Sequence, residues 1–142
     1  MKVLVAVDGS PASLRAVDFA LQLAKTGRQP CVVLANVQNF GTLGLSEGAA
    51  LLPEGWEEKA ADTLSRKQLR KAAEICRKAK VATEICAETG PVAETVIRIA
   101  RKTKAEHIVL GTRGLGAVRG LLLGSTTTKV VHLADLPVTL IK

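Results

Sequence analysis

The chain has 142 residues, of which 47% are hydrophobic and 23% charged, and its formal net charge is +7. This composition excludes a disordered chain, and no apolar run approaches the roughly 20 residues of a transmembrane helix. The length suits one domain, 1–142, that buries about 70% of its unfolded surface. Positive charge raises nucleic acid as a partner, but with one tryptophan, two phenylalanines and no tyrosine the chain lacks stacking platforms. We therefore expect a solvated basic face and no nucleic-acid partner.

The first predicted element is a buried strand, Val3-Leu-Val-Ala-Val7, whose unbroken apolar run is typical of a central parallel strand. Because the run is too short for a signal peptide and is followed at once by Asp8, we expect a cytoplasmic protein with no membrane segment. Ser10 then predicts the N-cap of a helix with Pro11 in its first position.

The middle of the chain continues the alternation of strands and helices. A second buried strand is predicted from Cys31 to Val37, and a third, less buried one from Val81 to Ala87. Between Gln38 and Gly55 the sequence has no periodicity, which predicts a long loop of the kind that forms lids or mobile rims. Trp56 to Lys80 predicts a long helix with an apolar side and an opposite basic side.

The last third of the chain adds two helices and two strands. Thr89-Gly90-Pro91 opens a helix, and His107 to Leu110 forms the fourth strand. After a glycine-rich loop, Ser125 predicts the hydroxyl N-cap of a further helix. Leu136 to Ile141 predicts a short final strand, and Pro137, which cannot donate to a ladder, suits the edge of a sheet.

This element order predicts an α/β fold: a single-domain, open, doubly wound sheet of five parallel strands with helices on both faces. In the strand order 3-2-1-4-5, the direction of winding reverses between strands one and four. Open sheets of this kind bind ligands outside the carboxyl ends of the strands at that point. Asp8 and Gly111 would lie side by side there.

Cysteine and histidine give no sign of a metal site. Cys31, Cys76 and Cys86 are odd in number and lack Cys-x-x-Cys spacing, so we interpret them as reduced core thiols. His107 and His132 have no metal-ligand spacing to each other or to a cysteine. The sequence therefore predicts no metal site made by side chains.

The glycine-rich loop after the fourth strand is the strongest candidate for a binding site. Gly111, Gly114 and Gly124 let backbone N–H groups approach a ligand, and the helix that begins at Ser125 carries unpaired donors that favour an anion. The spacing excludes a Walker A loop, and Arg119 stands where a dinucleotide fingerprint needs its third glycine. The alternative is that the glycines only shape a turn and Ser125 only caps a helix.

The pattern of Gly111, two residues, Gly114, nine residues and Gly124-Ser125 resembles the ATP-binding signature of the universal stress protein family. Val5-Ala-Val-Asp8-Gly-Ser10, Gly90-Pro91 and Leu136-Pro-Val extend the resemblance over nearly the whole chain. It implies a Rossmann-like fold of the adenine-nucleotide alpha-hydrolase type. It also implies ATP as the ligand, a divalent ion such as Mg²⁺ or Mn²⁺ held through the phosphates, and a homodimer paired through the last strand, 138–141.

The resemblance also assigns roles to individual positions. Ala6 and Asp8 would lie against the adenosine part of ATP, and Val37 would offer its backbone to adenine. The ribose and phosphates would be wrapped by two segments: Gly111, Thr112, Arg113 and Gly114, then Gly124, Ser125, Thr126 and Thr127.

The family's members act in stress survival, usually without a defined catalysed reaction, so the resemblance implies an ATP-binding regulatory module with slow hydrolysis at most. The alternative is a nucleotide-processing enzyme on the same fold, such as an adenylyl transferase or a weak ATPase. Asp8-Gly-Ser-Pro11 lacks the Ser-Gly-Gly loop or paired histidines expected of such enzymes, and no catalytic residue is predicted. A module that binds another ligand or only a partner protein is the third interpretation.

Overall fold

The computed structural model describes residues 1–40, 53–112 and 123–142. The described residues form a parallel five-stranded sheet in the order β3-β2-β1-β4-β5, as the sequence predicts. No helix in these three segments is long and apolar enough to cross a bilayer. In chain order the elements are β1 (Lys2–Ala6), α1 (Pro11–Ala24), β2 (Cys31–Gln38), α2 (Trp56–Lys78), β3 (Ala82–Thr89), α3 (Val92–Thr103), β4 (His107–Gly111), α4 (Ser125–Leu133) and β5 (Val138–Ile141).

The sheet separates two apolar clusters, one on each face. Val3, Val5 and Val7 point to the cluster formed with α1 and α2, whereas Leu4 and Ala6 point to the cluster formed with α3 and α4. This alternation follows from the two-residue period of a strand. Burial on both faces explains why the apolar run of β1 is unbroken.

Local sequence signals set the start of α1 as predicted. Ser10 is its N-cap, and the Ser10 side chain accepts a hydrogen bond of 3.2 Å from the N–H of Ser13. Pro11 occupies the first helical position, where a missing N–H costs nothing.

The α2 helix has the predicted two-sided character. Leu69, Ala72 and Cys76 are buried against the sheet, and its basic residues lie on the exposed side. The helix ends at Lys78 rather than Lys80, because Lys80 adopts a left-handed conformation with φ of 53°. Most of the loop predicted before α2 falls in residues 41–52, outside the described residues.

The final strand starts two residues later than predicted. Pro137 has no N–H, so it lies just before β5, although its carbonyl accepts a hydrogen bond of 3.0 Å from the N–H of Ile108. The β5 strand pairs only with β4 in the described sheet and is an edge.

The cysteines are free thiols, as expected, but only one lies wholly in the core. Cys76 is buried, whereas Cys31 and Cys86 are partly exposed. Burial raises the pKa of all three thiols, which disfavours the reactive thiolate at neutral pH.

Candidate functional site

The carboxyl ends of β1 and β4 lie side by side at the centre of the sheet. The register pairs Val5 with Val109, so Asp8 lies level with Thr112, one residue beyond Gly111. Ala6 ends β1 and is partly exposed. From this point α1 and α4 leave toward opposite faces of the sheet, and the predicted crevice lies between them.

A tight turn joins β1 to α1. One carboxylate oxygen of Asp8 accepts a hydrogen bond of 2.9 Å from the N–H of Ser10. Gly9 has a φ of +83°, which favours glycine. The Asp8 side chain is thereby held at the mouth of the crevice, partly exposed.

The reason for glycine at position 111 is the packing of α1. A Cβ on Gly111 would lie 3.0 Å from the carbonyl carbon of Ala12 and from the backbone N of Ser13. The missing side chain therefore brings the first turn of α1 directly against the end of β4. In this respect Gly111 has a structural role that the sequence did not reveal.

Three hydrogen bonds fix the start of α4 and the end of β5 to the end of β4. The N–H of Gly124 donates to the carbonyl of Thr112 at 2.9 Å, and the N–H of Thr112 donates to the carbonyl of Ile141 at 2.8 Å. The hydroxyl of Thr127 donates to the carbonyl of Gly111 at 3.1 Å. Thr127 is buried, so its hydroxyl acts here as a structural tie.

The N-cap of α4 is Gly124, which corrects the prediction that Ser125 caps this helix. Gly124 has extended angles, φ −71° and ψ 155°, and its carbonyl accepts the N–H of Thr128 at 3.0 Å. Ser125 is the first helical residue, and no side chain caps the helix.

The fold does not require glycine at position 124. Its φ and ψ suit any residue, and a Cβ there would meet the carbonyl oxygen of Thr112 at 3.7 Å and the hydroxyl of Thr127 at 3.9 Å, both ordinary contacts. Among the described residues, no close contact therefore prevents a side chain at position 124.

The first turn of α4 has the properties of an anion site. The helix supplies no acceptor for the N–H groups of Ser125, Thr126 and Thr127. Ser125 and Thr126 are exposed, so their hydroxyls are also within reach of a ligand. The helix dipole adds roughly half a positive charge at this end.

Val37 lies on the other side of β1, near the end of β2. Its side chain packs with the cluster under α3 and α4. The ladder between β1 and β2 stops at the pair Ala6–Ala35, so Val37 lies beyond the end of its neighbouring strand.

Sequence reasoning missed a buried polar network beside Val37. Asn36 and Ser65 are 1% and 3% exposed, and they join Gln38 and Gln68 through hydrogen bonds between side chains. A signal was available, because Asn36 interrupts an apolar strand and Ser65 falls on the apolar stripe of α2, and buried polar groups need partners.

Two predicted site residues, Arg113 and Gly114, lie outside the described residues. Over residues 1–40, 53–112 and 123–142, no group of three or more His, Cys, Asp or Glu side chains is arranged to hold a metal ion.

The model of the universal stress protein family matches residues 1–142, the whole chain. The chain belongs to the universal stress protein family. The family assignment agrees with the fold described above, because solved structures of universal stress proteins match it over nearly its full length.

Individual relatives support this membership. A universal stress protein of Bacillus subtilis is 28% identical over 99% of this chain and 98% of its own length. One from Methanocaldococcus jannaschii is 31% identical over 99% of this chain and 81% of its own length. A crystal structure of a universal stress protein in complex with cAMP is 25% identical, with a TM-score of 0.68 over 100% of this chain and 96% of that one.

Proposed function

We propose that this universal stress protein binds ATP in the crevice between the ends of β1 and β4 and acts as a regulatory, stress-survival module without efficient catalysis. The observation that carries the proposal is that two helix N-termini meet at the end of β4. The first turn of α1 touches Gly111, and Thr127 ties the first turn of α4 to the same residue. Both helices direct their positive ends at this region, which favours a polyanion.

The phosphate end is assigned to α4. Within the described residues the N–H groups of Ser125, Thr126 and Thr127 have no acceptor, and Gly124 places no side chain beside them. Gly111 and Thr112 lie next to this turn, because their carbonyls accept hydrogen bonds from Thr127 and Gly124. Arg113 and Gly114 belong to the same proposed phosphate segment through the family signature.

The nucleoside end is assigned to the other side of β1. Asp8 offers the carboxylate oxygens of a fixed turn, which suit ribose hydroxyl donors, and Ala6 and Val37 flank it on β1 and β2. The relative crystallised with cAMP makes an adenine nucleotide the natural ligand to test. Mg²⁺ or Mn²⁺ would bind through the phosphates.

The proposed lack of efficient catalysis follows from the chemistry of the crevice. Donors that stabilise a bound phosphate equally before and during reaction lower the dissociation constant without raising the rate. Asp8, the carboxylate placed at the crevice mouth, is engaged in holding its own turn. We therefore propose that the protein acts through its nucleotide-bound state, and we keep the cytoplasm as its proposed location.

The direct test is native mass spectrometry of the purified protein, before and after addition of ATP with Mg²⁺. Binding of one ATP per chain supports the proposal. Turnover of about 1 per second or faster that survives repurification and is lost in Asp8→Ala would instead establish an enzyme. If the purified protein carries no nucleotide and binds none after ATP is added, the proposal is contradicted.

We also propose that two copies pair through β5. The ladder with β4 uses the carbonyls of Pro137 and Ile141, so by alternation Thr139 also faces β4, whereas the peptide groups of Val138 and Leu140 face outward. An unpaired edge of this kind favours strand pairing across a two-fold axis. The side chains of β5 are all partly exposed in the single chain.

A further inference from the structure

The ladder between β1 and β2 is ended by a side chain. The N–H of Val7 donates to the carbonyl of Ala35 at 2.8 Å. In a continuing parallel ladder the carbonyl of Val7 would next accept the N–H of Val37. Instead it accepts Nδ2 of Asn36 at 2.7 Å.

This exchange leaves the backbone of Val37 open on the β1 side. The carbonyl of Gln38 accepts the N–H of Gly90 on the β3 side, so by alternation the N–H and C=O of Val37 point toward β1. Among the described residues, none on β1 pairs with these two groups. They form an adjacent donor and acceptor at the carboxyl edge of the sheet.

Four hydrogen bonds hold the side chain of Asn36 in this position. Its Nδ2 also donates to Oε1 of Gln68 at 2.7 Å, and its Oδ1 accepts the hydroxyl of Ser65 at 2.7 Å and Nε2 of Gln38 at 2.9 Å. The Val7 carbonyl can only accept, which fixes the orientation of the amide. Because Asn36 is 1% exposed, no water competes for these contacts.

The same network supports the turn that carries Asp8. Gln68 packs against Gly9, where a Cβ would lie 3.4 Å from Cα and Cγ of Gln68. Gln68 of α2 thus contacts both Asn36, which keeps the backbone of Val37 open, and the turn between β1 and α1.

We propose that Asn36 is a positioning residue that keeps the N–H and C=O of Val37 available to the hydrogen-bonding edge of a nucleobase. This inference rests on the proposed function. The amino group and ring nitrogen of adenine present an adjacent donor and acceptor that match one peptide N–H and C=O. Because Asn36 already donates to the Val7 carbonyl, that carbonyl does not accept the Val37 N–H, which stays available to the base.

Removal of the side-chain amide tests the proposal without any ligand. In Asn36→Leu, the freed Val7 carbonyl accepts the N–H of Val37, and hydrogen exchange of the Val37 amide, followed by NMR, slows by about tenfold or more while that of Ala35 changes little. The smaller variant Asn36→Ala serves if Asn36→Leu does not fold. Ser65→Ala, which keeps the donation to Val7, is the matched control and retains wild-type exchange. Equal protection of the Val37 amide in all the variants would overturn the proposal.

Ligand affinity separates the base side from the phosphate side. Asn36→Leu should weaken ATP binding about five- to tenfold, the equivalent of about one hydrogen bond, and leave the affinity for inorganic tripolyphosphate unchanged. If wild type binds ATP and Asn36→Leu binds it equally well, this inference fails alone. If wild type binds neither ATP nor tripolyphosphate, the proposed function is wrong, and the inference that rests on it is wrong as well.

Discussion

The hydroxyl of Thr127 donates a hydrogen bond of 3.1 Å to the carbonyl of Gly111, which fixes the first turn of α4 to the end of β4. On the opposite side of β1, Asn36 takes the carbonyl of Val7 in the same manner. A side chain thus takes a backbone carbonyl on each side of the central strand, at the carboxyl edge of the sheet. The proposed crevice lies between these two places.

Replacement of Thr127 by valine keeps the shape of the side chain and removes this hydrogen bond. Because the Gly111 carbonyl loses a buried partner, we expect Thr127→Val to lower the free energy of unfolding by about 1–2 kcal/mol. Urea denaturation measures the change. The control is Thr126→Val on the exposed side of the same turn, which should change stability by about 0.5 kcal/mol or less. Equal effects of the two substitutions would show that the tie to Gly111 is not stabilising.

A side chain at position 111 should disturb the packing of α1. In Gly111→Ala the new Cβ would lie 3.0 Å from backbone atoms of Ala12 and Ser13, so the helix must shift. We expect a loss of about 1–3 kcal/mol, typical of overpacking. Chemical denaturation tests this, and an alanine variant as stable as wild type would mean that α1 does not pack closely on β4.

Stability should fall in mild acid because of His107. Burial lowers the pKa of this histidine below its ordinary value of 6.5, and one ring nitrogen lies 2.8 Å from the hydroxyl of Thr139. The folded state therefore binds the proton less readily than the unfolded state. The contribution of His107 to the free energy of unfolding is fully present above pH 6.5. It is lost as the pH falls through the lowered pKa.

Denaturation midpoints between about pH 5 and pH 8 should show this loss in wild type and a shallower dependence in His107→Gln. If the denaturation midpoints of the two proteins change equally with pH, His107 does not contribute to the pH dependence of stability.

The proposed dimer depends on the outward-facing backbone of β5. Val138→Pro removes an N–H that faces away from β4, at a position where an edge strand tolerates proline. Sedimentation equilibrium should give twice the chain mass of 14.9 kDa for wild type and a shift toward a single chain for this variant. Thr139→Val keeps every edge donor and should remain a dimer. A wild-type mass of a single chain would mean that no dimer forms. A Val138→Pro variant that remains fully dimeric would mean that the interface lies elsewhere.

The order of the elements along the chain and the start of α1 could be predicted because they depend on local patterns. The apolar run of β1 and the Ser10-Pro11 cap are each contained in a few residues. The cap of α4 was misplaced by one residue, since Gly124 and Ser125 are both acceptable caps and only φ and ψ decide between them.

The remaining features of the site depend on contacts between distant segments. The need for glycine at position 111 arises from α1, about one hundred residues earlier in the chain. The partners of Asn36 on α2 lie 29 and 32 residues away, a distance over which no sequence period specifies a pair. The ligand position at the end of β4 stays a prediction, and the sequence pattern did not indicate the side chains that pack around it.

Calorimetric titration of wild type and Gly124→Ser with ATP and AMP measures whether the start of α4 binds the phosphates. In wild type, the N–H groups of α4 act on the outer phosphates, so ATP should bind about tenfold or more tightly than AMP. In Gly124→Ser the new hydroxyl accepts one of those N–H groups as an N-cap and occupies the position proposed for the outer phosphates. The variant should therefore be at least as stable as wild type, yet lose the preference for ATP. Equal affinities for ATP and AMP in wild type, or an unchanged preference in the variant, would contradict phosphate binding at the start of α4.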